Sequence, residues 1–306
     1  MITAGLIKQL ADQAGFLACG ITHPVLLNNH RQSLLDWIQS GHHAGMDYME
    51  RHADLREDIR LLFPPIRSVV VVLWNYLTET SSDPRTNLGK ISRYASGPDY
   101  HFTMREKLDW MASRLKETDS GLEYRIAIDS APVFEREYAR LAGLGWIGKH
   151  SLLLSKQGSW FNIGLLLLNR DLEADQPYQT NHCGTCNACM SACPTQAIIK
   201  PGTIDSNRCI SYQTIENKQE TLPDGFDTNG WIWGCDICQE VCPWNQKFGN
   251  QLKSPDQPGE GIWKTMDLQH IENLSSSRFR KTFSQTPMIR RGKKGFLRNI
   301  IHTRKQ

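Results

Sequence analysis

Seven of the nine cysteines in this chain form two blocks, and an eighth stands between the blocks. The blocks are Cys183-x-x-Cys186-x-x-Cys189-x-x-x-Cys193-Pro194 and Cys235-x-x-Cys238-x-x-x-Cys242-Pro243. Three thiolates at this spacing, followed by a Cys-Pro pair, are typical of bacterial ferredoxins, in which the cysteine beside the proline binds the second cluster. The spacing therefore predicts two 4Fe-4S clusters and an electron-transfer role.

The second block lacks one of the regular positions, and Cys209 is the cysteine that replaces it. The assignment that uses every thiolate divides the eight cysteines into two sets of four. The first cysteine set is Cys183, Cys186, Cys189 and Cys242, and the second cysteine set is Cys193, Cys209, Cys235 and Cys238.

Two other interpretations of the cysteines are less consistent with their spacing. A pair of zinc sites also uses C-x2-C pairs, but four-ligand zinc does not explain the third evenly spaced cysteine or the two Cys-Pro endings. A disulfide framework is disfavoured because a chain of 306 residues without a secretory signal can build its own core in a reducing cytosol. The remaining cysteine, Cys19, follows an apolar stretch and is predicted to be a buried small hydrophobe.

The composition is that of an ordinary globular protein, with 40% hydrophobic and 22% charged residues and a mean hydropathy of −0.45. No apolar run approaches the ~20 residues that a membrane-spanning helix needs. Residues 1–20 carry Lys8 and Asp12 within their apolar stretch, which indicates an amphipathic helix rather than a signal peptide. We therefore expect a cytoplasmic protein without a membrane partner, and a monomer because nothing indicates an obligate partner chain.

The basic residues are concentrated at the end of the chain. Residues 278–306 hold ten Lys or Arg and no acid, although the whole chain has a net charge of only +3. Apolar residues such as Phe279, Phe283 and Phe296 alternate with these charges, so the segment is expected to fold and dock rather than remain a solvated tail. A basic surface of this kind favours binding to a polyanion such as nucleic acid.

Three segments are predicted from the chain pattern. Residues 1–177 are predicted to form an α/β domain with strands at 68–74, 124–128 and 163–168 and helices at 100–115 and 133–144, the second starting near Pro132. Residues 178–250 are predicted to form the ferredoxin-type domain, and residues 251–306 are predicted to form a basic helical C-terminal segment that contacts nucleic acid.

No nucleotide-binding motif accompanies the clusters. Gly143-x-Gly145-x-x-Gly148 has the letters of a dinucleotide fingerprint, but it follows a predicted helix rather than a strand. These glycines are expected to shape a tight turn. The electrons must then come from an external low-potential donor.

Several further motifs, read together with the cysteine blocks, resemble those of the epoxyqueuosine reductase family over essentially the whole chain. They are Gly45-Met-Asp-Tyr-Met49, Ser92-Arg-Tyr94, Asp99-Tyr-His101, Asp129-Ser-Ala-Pro132, Glu135-Arg-Glu137, Gly143-Leu-Gly-Trp-Ile-Gly-Lys149, Gly158-Ser-Trp160, Cys209-Ile-Ser-Tyr212, Ile232-Trp-Gly-Cys235 and Gly295-Phe-Leu-Arg-Asn299. The resemblance implies a reductive-dehalogenase-like α/β domain that binds cobalamin, followed by the two clusters. It also implies an activity: removal of the epoxide oxygen of epoxyqueuosine at the wobble position of tRNA.

That reaction needs a proton for the leaving oxygen, and Asp129 is the predicted donor. It follows an apolar strand, at the edge where α/β folds place ligands, and beside a corrin its carboxyl is expected to have a raised pKa. The alternative is an aspartate that stabilises the start of the helix near Pro132.

The resemblance also implies a set of cofactor contacts. A base-off cobalamin with no protein histidine below cobalt is expected, because Asp99-Tyr-His101 begins the lower-ligand motif without its glycine. The predicted cobalamin contacts are Arg56, Ser92, Asp129, Leu153, Gly164 and Ser206.

An anticodon stem-loop is the implied substrate, since enzymes extract modified loop bases into a pocket. The C-terminal segment, residues 251–306, is predicted to contact this tRNA through Arg290, Arg291, Lys293, Lys294 and Arg298. Many relatives continue into HEAT-like repeats, for which this chain has too little sequence left. Three rival functions remain open: a cobalamin-dependent reductive dehalogenase of small organohalides, a simple electron-transfer ferredoxin, and a tRNA-binding protein with zinc modules.

Overall fold

A computed structural model of the chain describes residues 1–77, 85–251 and 266–305. In the first predicted domain the elements are α1 (Ala4–Gln13), β1 (Ala18–Thr22), α2 (Asn28–Gln39), α3 (Tyr48–Arg51), α4 (Ala53–Glu57), β2 (Ser68–Asn75), β3 (Lys90–Ile91), α5 (Tyr100–Thr118), β4 (Tyr124–Ile128), α6 (Glu135–Leu141), β5 (Trp146–Ile147), β6 (Leu153–Leu154) and β7 (Phe161–Leu168). The cysteine region contains α7 (Ala188–Ala192), β8 (Ile198–Lys200), β9 (Thr203–Ile204), α8 (Ile210–Ile215), β10 (Trp231–Trp233), α9 (Ile237–Glu240) and α10 (Pro243–Lys247). The last described segment contains α11 (Leu268–Asn273), α12 (Ser276–Phe283) and α13 (Gly292–Arg304).

The largest sheet has four strands in the order β1-β2-β7-β4, and each neighbouring pair is antiparallel. All three predicted strands are present in it. The run of residues 69–73 in β2 is completely buried, because its side chains alternate between two hydrophobic cores on opposite faces of the sheet. β-branched and leucine side chains buried on both faces explain why this strand reads as a continuous apolar run.

Helices cover both faces of this sheet. α1 and α5 pack on the face that carries Val70 and Val72, and α6 packs on the face that carries Val69 and Val71. The predicted N-terminal and 100–115 helices are confirmed by α1 and α5. The helix near Pro132 is shorter than predicted, because residues 129–134 form an irregular turn and α6 begins only at Glu135.

The arrangement of β2, β7 and β4 places Asp129 at one edge of the sheet. β2 and β4 both run antiparallel to β7, so their carboxyl ends lie at the same edge. Ile128, the last residue of β4, pairs with Gly164, and Asp129 follows it directly. This edge is also where α5 begins, at Tyr100 and His101.

The glycines at 143–148 shape a close turn, as predicted. A Cβ on Gly145 would lie 2.0 Å from the carbonyl oxygen of Leu154, in the strand that pairs with β5. Only glycine permits this approach of the two backbones.

The cysteine region and the C-terminal helices share a hydrophobic core with residues 88–95. In that core β10 pairs in parallel with β3, and Phe279, Phe283 and Phe296 are completely buried. Asn299 in α13 donates from Nδ2 to the carbonyl oxygens of Thr214 in α8, at 2.7 Å, and Ile232 in β10, at 2.9 Å. The expectation that the basic end of the chain folds and docks is confirmed for its described residues, although residues 252–265 lie outside them. No helix among the described residues is long and apolar enough to cross a membrane.

Candidate redox and acid–base site

The first cysteine set lines one cavity. Cys183, Cys186, Cys189 and Cys242 surround a space of about 130 Å³. Cys189 and Cys242 are buried, whereas Cys186 is exposed. Burial and the charges of Cys183, Cys242 and Cys186 raise the pKa of Cys189, as expected of thiols that face one another. The structure therefore brings together the four cysteines that the spacing assigned to one cluster.

The second cysteine set also converges, and its four cysteines are all partly buried. Burial raises the pKa of Cys235, with further contributions from Cys209 and Cys193. Burial likewise raises the pKa of Cys238, with contributions from Cys235 and Cys209. Cys209, which stands alone in the sequence, therefore lies among the other three thiols of its predicted set.

The spacing of these thiols bears on the zinc alternative. Across residues 1–77, 85–251 and 266–305, no three His, Cys, Asp or Glu side chains are arranged to hold a single metal ion. A structural zinc site needs four donors around one ion. Among the described residues, the cysteine sets are therefore not arranged as a four-ligand site around one ion.

A short segment connects the second cysteine set with the sheet edge. The backbone N–H of Arg93 donates to Oδ2 of Asp236, the residue after Cys235, at 2.8 Å. One residue later, the Tyr94 hydroxyl accepts a bond of 3.2 Å from Trp233. The Tyr94 ring meets the Tyr100 ring edge to face, with centroids 6.0 Å apart. Residues 93–100 thus form continuous contacts from the second cysteine set to the start of α5.

Asp129 lies at the far end of this path, in an unusual backbone conformation. Its φ of 47° is in the left-handed region, and its N–H donates to Glu135 Oε1 at 2.6 Å. Its carboxylate lies 3.4 Å from Nε2 of His101, and its side chain is 50% exposed. A non-glycine residue in this region must be held there by its neighbours.

The expectation of a raised pKa at Asp129 is wrong for this structure. Partial desolvation would raise the pKa, but the hydrogen bond from His101 and the charges of His101 and Arg290 hold it below its usual value. Burial would lower the pKa of His101, but hydrogen bonds to Asp129 and Asp99 together raise it to about 9. At neutral pH the proton therefore resides on the imidazole, and Asp129 is ionised.

Glu135 is a functional candidate that the sequence analysis named only within the motif Glu135-Arg-Glu137. Burial and the neighbouring charge of Asp129 raise the pKa of Glu135 to about 8. The signal in the sequence was the pair of acids, Asp129 and Glu135, separated by a proline-containing turn. Two carboxyl groups at one turn cannot both ionise freely, so their pKa values separate.

The residues predicted to contact a corrin do not all lie together. Arg56 is buried and interacts electrostatically with Asp129 and Glu135. Ser92 is buried beside Asp236, and the backbone N–H of Ser206 donates to the carbonyl of His42 at 2.8 Å.

Leu153 and Gly164 are part of the hydrophobic packing. Leu153 is buried in the core on the α6 face of the sheet. A Cβ on Gly164 would lie 2.7 Å from Met104 Cε, so this glycine allows α5 to approach the sheet. A corrin contact at these two positions stays a prediction.

Two buried donors near this edge of the sheet have no hydrogen-bond partner, Nε of Arg56 and Nδ2 of Asn162. Asn162 lies in β7 two residues before Gly164, the partner of Ile128 in β4, and it pairs with Trp74 near the end of β2. Buried donors without partners are costly unless a ligand satisfies them. The amide-rich rim of a corrin offers such acceptors, so the residues present fit a cofactor of that kind.

The predicted tRNA contacts fall into two groups. Arg290 is 45% exposed, forms a salt bridge of 2.7 Å with Glu216 and is close enough to Asp129 to lower its pKa. Lys294 is exposed, and Arg291 is partly buried with an unpartnered Nε. The tail therefore delivers at least one cation to the Asp129 edge.

Two of the predicted tRNA-binding residues donate hydrogen bonds to backbone carbonyls within the protein. Arg298 donates to the carbonyl oxygens of Gln213, Asn217 and Gln219 at 2.7–2.9 Å, and burial lowers its pKa to about 10. Lys293 donates from Nζ to the carbonyls of Glu272 and Leu274. The guanidinium of Arg298 is committed to the end of α8, which disfavours the phosphate contact predicted for it.

Two family models match the chain. The model described as 4Fe-4S double cluster binding domain matches residues 182–245, and the model described as epoxyqueuosine reductase QueG matches residues 56–130. Among curated proteins, the epoxyqueuosine reductase of Cyclobacterium marinum is 40% identical over 300 residues, which cover 96% of this chain and 94% of that protein. The matched cluster domain contains both cysteine sets.

Solved structures give the same result. A crystal structure of epoxyqueuosine reductase with an epoxyqueuosine-modified tRNA-Tyr stem loop is 28% identical, has a TM-score of 0.85, and matches 98% of this chain and 80% of its own. An epoxyqueuosine reductase from Bacillus subtilis, solved with its catalytic aspartate loop swung out of the active site, has the same identity and TM-score and matches 98% of this chain and 81% of its own. A catabolic reductive dehalogenase is 17% identical, has a TM-score of 0.51, and matches 96% of this chain and 37% of its own, which shows a shared fold.

Proposed function

The chain belongs to the epoxyqueuosine reductase family, and from this premise we propose that it converts epoxyqueuosine to queuosine at the wobble position of tRNA. The reaction removes one oxygen atom as water and consumes two electrons and two protons. The observation that carries the proposal is the placement of Asp129. It lies between His101 and Glu135, and residues 93–100 connect it with the second cysteine set.

We propose that the two cysteine sets each hold one 4Fe-4S cluster and that an external low-potential donor delivers electrons to the first set. Support comes from exposure, since Cys186 is at the surface whereas Cys209, Cys235 and Cys238 are not exposed. The second set is also the one that residues 93–100 join to Asp129. Electrons then enter at the first set and leave toward Asp129.

The donor set near Asp129 supports a bound cobalamin. When bound, this group supplies the strongly reducing centre that opens the epoxide, with its electrons arriving through the clusters. Arg56 and Asn162 would satisfy acceptors on its rim, with Ser92, Ser206, Leu153 and Gly164 as the further proposed contacts. A base-off state without a protein histidine ligand is supported at His101, whose two ring nitrogens already face Asp99 and Asp129.

Asp129 is the proposed proton donor, with His101 as its proton store. While the site is open to water, the charged pair is stable and the proton stays on His101. Covering the site with substrate removes water, which destabilises two charges more than two neutral groups and moves the proton onto Asp129. The carboxyl can then protonate the leaving oxygen, and the bond from the Asp129 N–H to Glu135 keeps the turn in place.

For the RNA, we propose phosphate contacts by Arg290, Arg291, Lys293 and Lys294. Arg290 is the best placed of these, because it lies near Asp129 and its side chain remains 45% exposed in the salt bridge with Glu216. A phosphate could replace Glu216 as its partner when the wobble nucleotide is extracted. Such a protein would act as a monomer in the cytoplasm, where tRNA is modified.

The rival functions fit less well. A dehalogenase of small organohalides has no use for cations beside its acid, and a simple electron carrier has no use for the Asp129–His101 pair. A zinc-containing tRNA binder needs compact four-ligand sites, which the cysteine sets do not form among the described residues.

The proposal is tested by anaerobic purification and single-turnover assay. The protein is analysed for iron, sulfide and cobalt. It is then incubated with cobalamin, a chemical reductant and an epoxyqueuosine-containing anticodon stem-loop. The masses of the RNA nucleosides are measured by mass spectrometry. Loss of one oxygen from the modified nucleoside is expected. Zinc in place of iron, or no loss of oxygen with full iron and cobalamin, would refute the proposal. A halogenated phenol in place of RNA tests the dehalogenase alternative.

A further inference from the structure

The cavity of the first cysteine set is lined by a histidine that the proposed mechanism does not use. His150 lies in the turn between β5 and β6, is 2% exposed and faces the same cavity as Cys183, Cys186, Cys189 and Cys242. Its Nε2 has no hydrogen-bond partner. A buried ring nitrogen without a partner requires an explanation.

The tautomer of His150 follows from its other nitrogen. The backbone N–H of Leu152 donates to Nδ1 at 3.2 Å, so Nδ1 is the acceptor and the proton of a neutral ring is on Nε2. The unpartnered group is therefore an N–H donor.

The surrounding turn fixes the ring in place. The N–H of Gly148 donates to Leu152 and the N–H of Ser151 donates to Gly148, which closes a tight loop around His150. Any side chain at Gly148 would meet His150 Cε1 at 3.0 Å. The backbone of this turn thus sets the position of His150 at the cavity.

Lys149, the preceding residue, also serves this cavity. Its Nζ donates at 2.7 Å to the carbonyls of Gly184 and Cys186, which belong to the loop that carries two of the thiols. The turn between β5 and β6 therefore provides a cation to the rim and a neutral N–H to the interior. The potential of an iron–sulfur cluster depends on the charge around it and on hydrogen bonds to its sulfurs.

We propose that His150 donates a hydrogen bond from Nε2 to a sulfur of the cluster held by the first cysteine set, and thereby raises the reduction potential of that cluster above the value it would have without the bond. A hydrogen bond stabilises the reduced cluster more than the oxidised one, since reduction adds negative charge to the sulfurs. His150 would contact the cluster directly and would not contact the substrate. The inference rests on the proposed function, because it needs the cluster to be present.

The test measures potentials rather than turnover. His150→Phe keeps a ring of similar size but has no donor, and His150→Gln keeps an N–H. Both variants and a His23→Phe control, whose parent ring contacts Arg67 and Asp171, are purified anaerobically without cobalamin and titrated while their cluster signals are followed by electron paramagnetic resonance. For His150→Phe we expect roughly a tenfold fall in the reduction equilibrium constant of one cluster, a drop of about 59 mV for a one-electron couple, with the other cluster unchanged.

The outcomes separate the two proposals. Recovery of most of the shift in His150→Gln, with no shift in His23→Phe, supports the hydrogen bond. Unchanged potentials in His150→Phe with full iron content overturn this inference and leave the proposed function intact. A lower iron content in both His150 variants also overturns it, because the residue would then be needed for cluster assembly. Absence of iron from the parent protein refutes the proposed function itself.

Discussion

Nε2 of His101 lies 3.4 Å from Oδ2 of Asp129, and Nδ1 of the same ring lies 2.7 Å from Oδ1 of Asp99. The imidazole is thus held between two carboxylates, which explains why its pKa is raised to about 9. The proton that Asp129 is proposed to deliver is therefore held on the neighbouring ring of His101. The proposed mechanism therefore differs from one in which a single buried carboxylic acid both holds and donates the proton.

Replacing Asp129 with Asn should abolish turnover while leaving the cofactors bound. The amide cannot pass a proton from His101 to the leaving oxygen, and loss of a general acid lowers rates by roughly 10²–10⁴-fold. Iron, sulfide and cobalamin content should match the parent. Asp119→Asn is the matched control, because it breaks a salt bridge with Arg170. Near-normal turnover by Asp129→Asn would remove Asp129 as the acid.

Turnover should also decline as the pH rises through about 9. The folded-state pKa of His101 is raised to that value, so the ring holds its proton below pH 9 and loses it above. The interaction of protonated His101 with Asp129 stabilises the fold fully below the ordinary histidine pKa. This stabilisation is lost as the pH rises through about 9. A pH–rate profile of His101→Gln should lack this alkaline limb. An identical limb in the variant would assign it to another group.

Arg298→Ala should destabilise the protein without weakening RNA binding. The guanidinium satisfies carbonyls at the end of α8, and removing hydrogen bonds from a charged group costs about 1.5–3 kcal/mol. Thermal unfolding measures the loss, and stem-loop affinity measures the function.

Lys294→Ala is the opposite case and serves as its matched control. Lys294 is exposed, so its loss should leave the unfolding temperature unchanged. It should weaken RNA binding and reduce the salt dependence by about one phosphate contact. If the combined Ala variants of Arg290, Arg291, Lys293 and Lys294 bind the stem-loop normally, the tail does not contact RNA.

Cys209→Ala should remove the iron of one cluster. Cys209 lies among the thiols of the second set, so three ligands would remain there. Cys19→Ala is the control, because Cys19 lies in β1 and belongs to neither set. Iron and sulfide per chain decide the result. A full complement of iron in Cys209→Ala would mean that another group completes the second site.

The parts of the molecule that were predictable from sequence are those set by local spacing. Seven of the eight cysteines in the two sets stand at fixed intervals, and β2 follows from a run of valines that is buried on both faces. The His101–Asp129 pair was not predictable, because it arises where the start of α5 meets the end of β4. The role of Arg298 was not predictable either. An arginine in a basic segment cannot be assigned from sequence alone to a phosphate or to a neighbouring carbonyl.

The start of α6 shows a different limit. Pro132 is compatible with the first turn of a helix, so the sequence favoured an early start. In the structure Asp129 adopts a left-handed conformation, and its N–H donates to the carboxylate of Glu135. The residues between them therefore form a turn instead of the first turn of the helix. A tertiary requirement at a functional residue has overridden the local preference.

Asn299 joins α8, which follows Cys209 directly, to β10, which ends two residues before Cys235. The basic C-terminal helix is therefore built on the same backbone that holds two thiols of the second set. A shift of the backbone beside Cys209 or Cys235 would therefore be transmitted to the proposed RNA-binding end through Asn299.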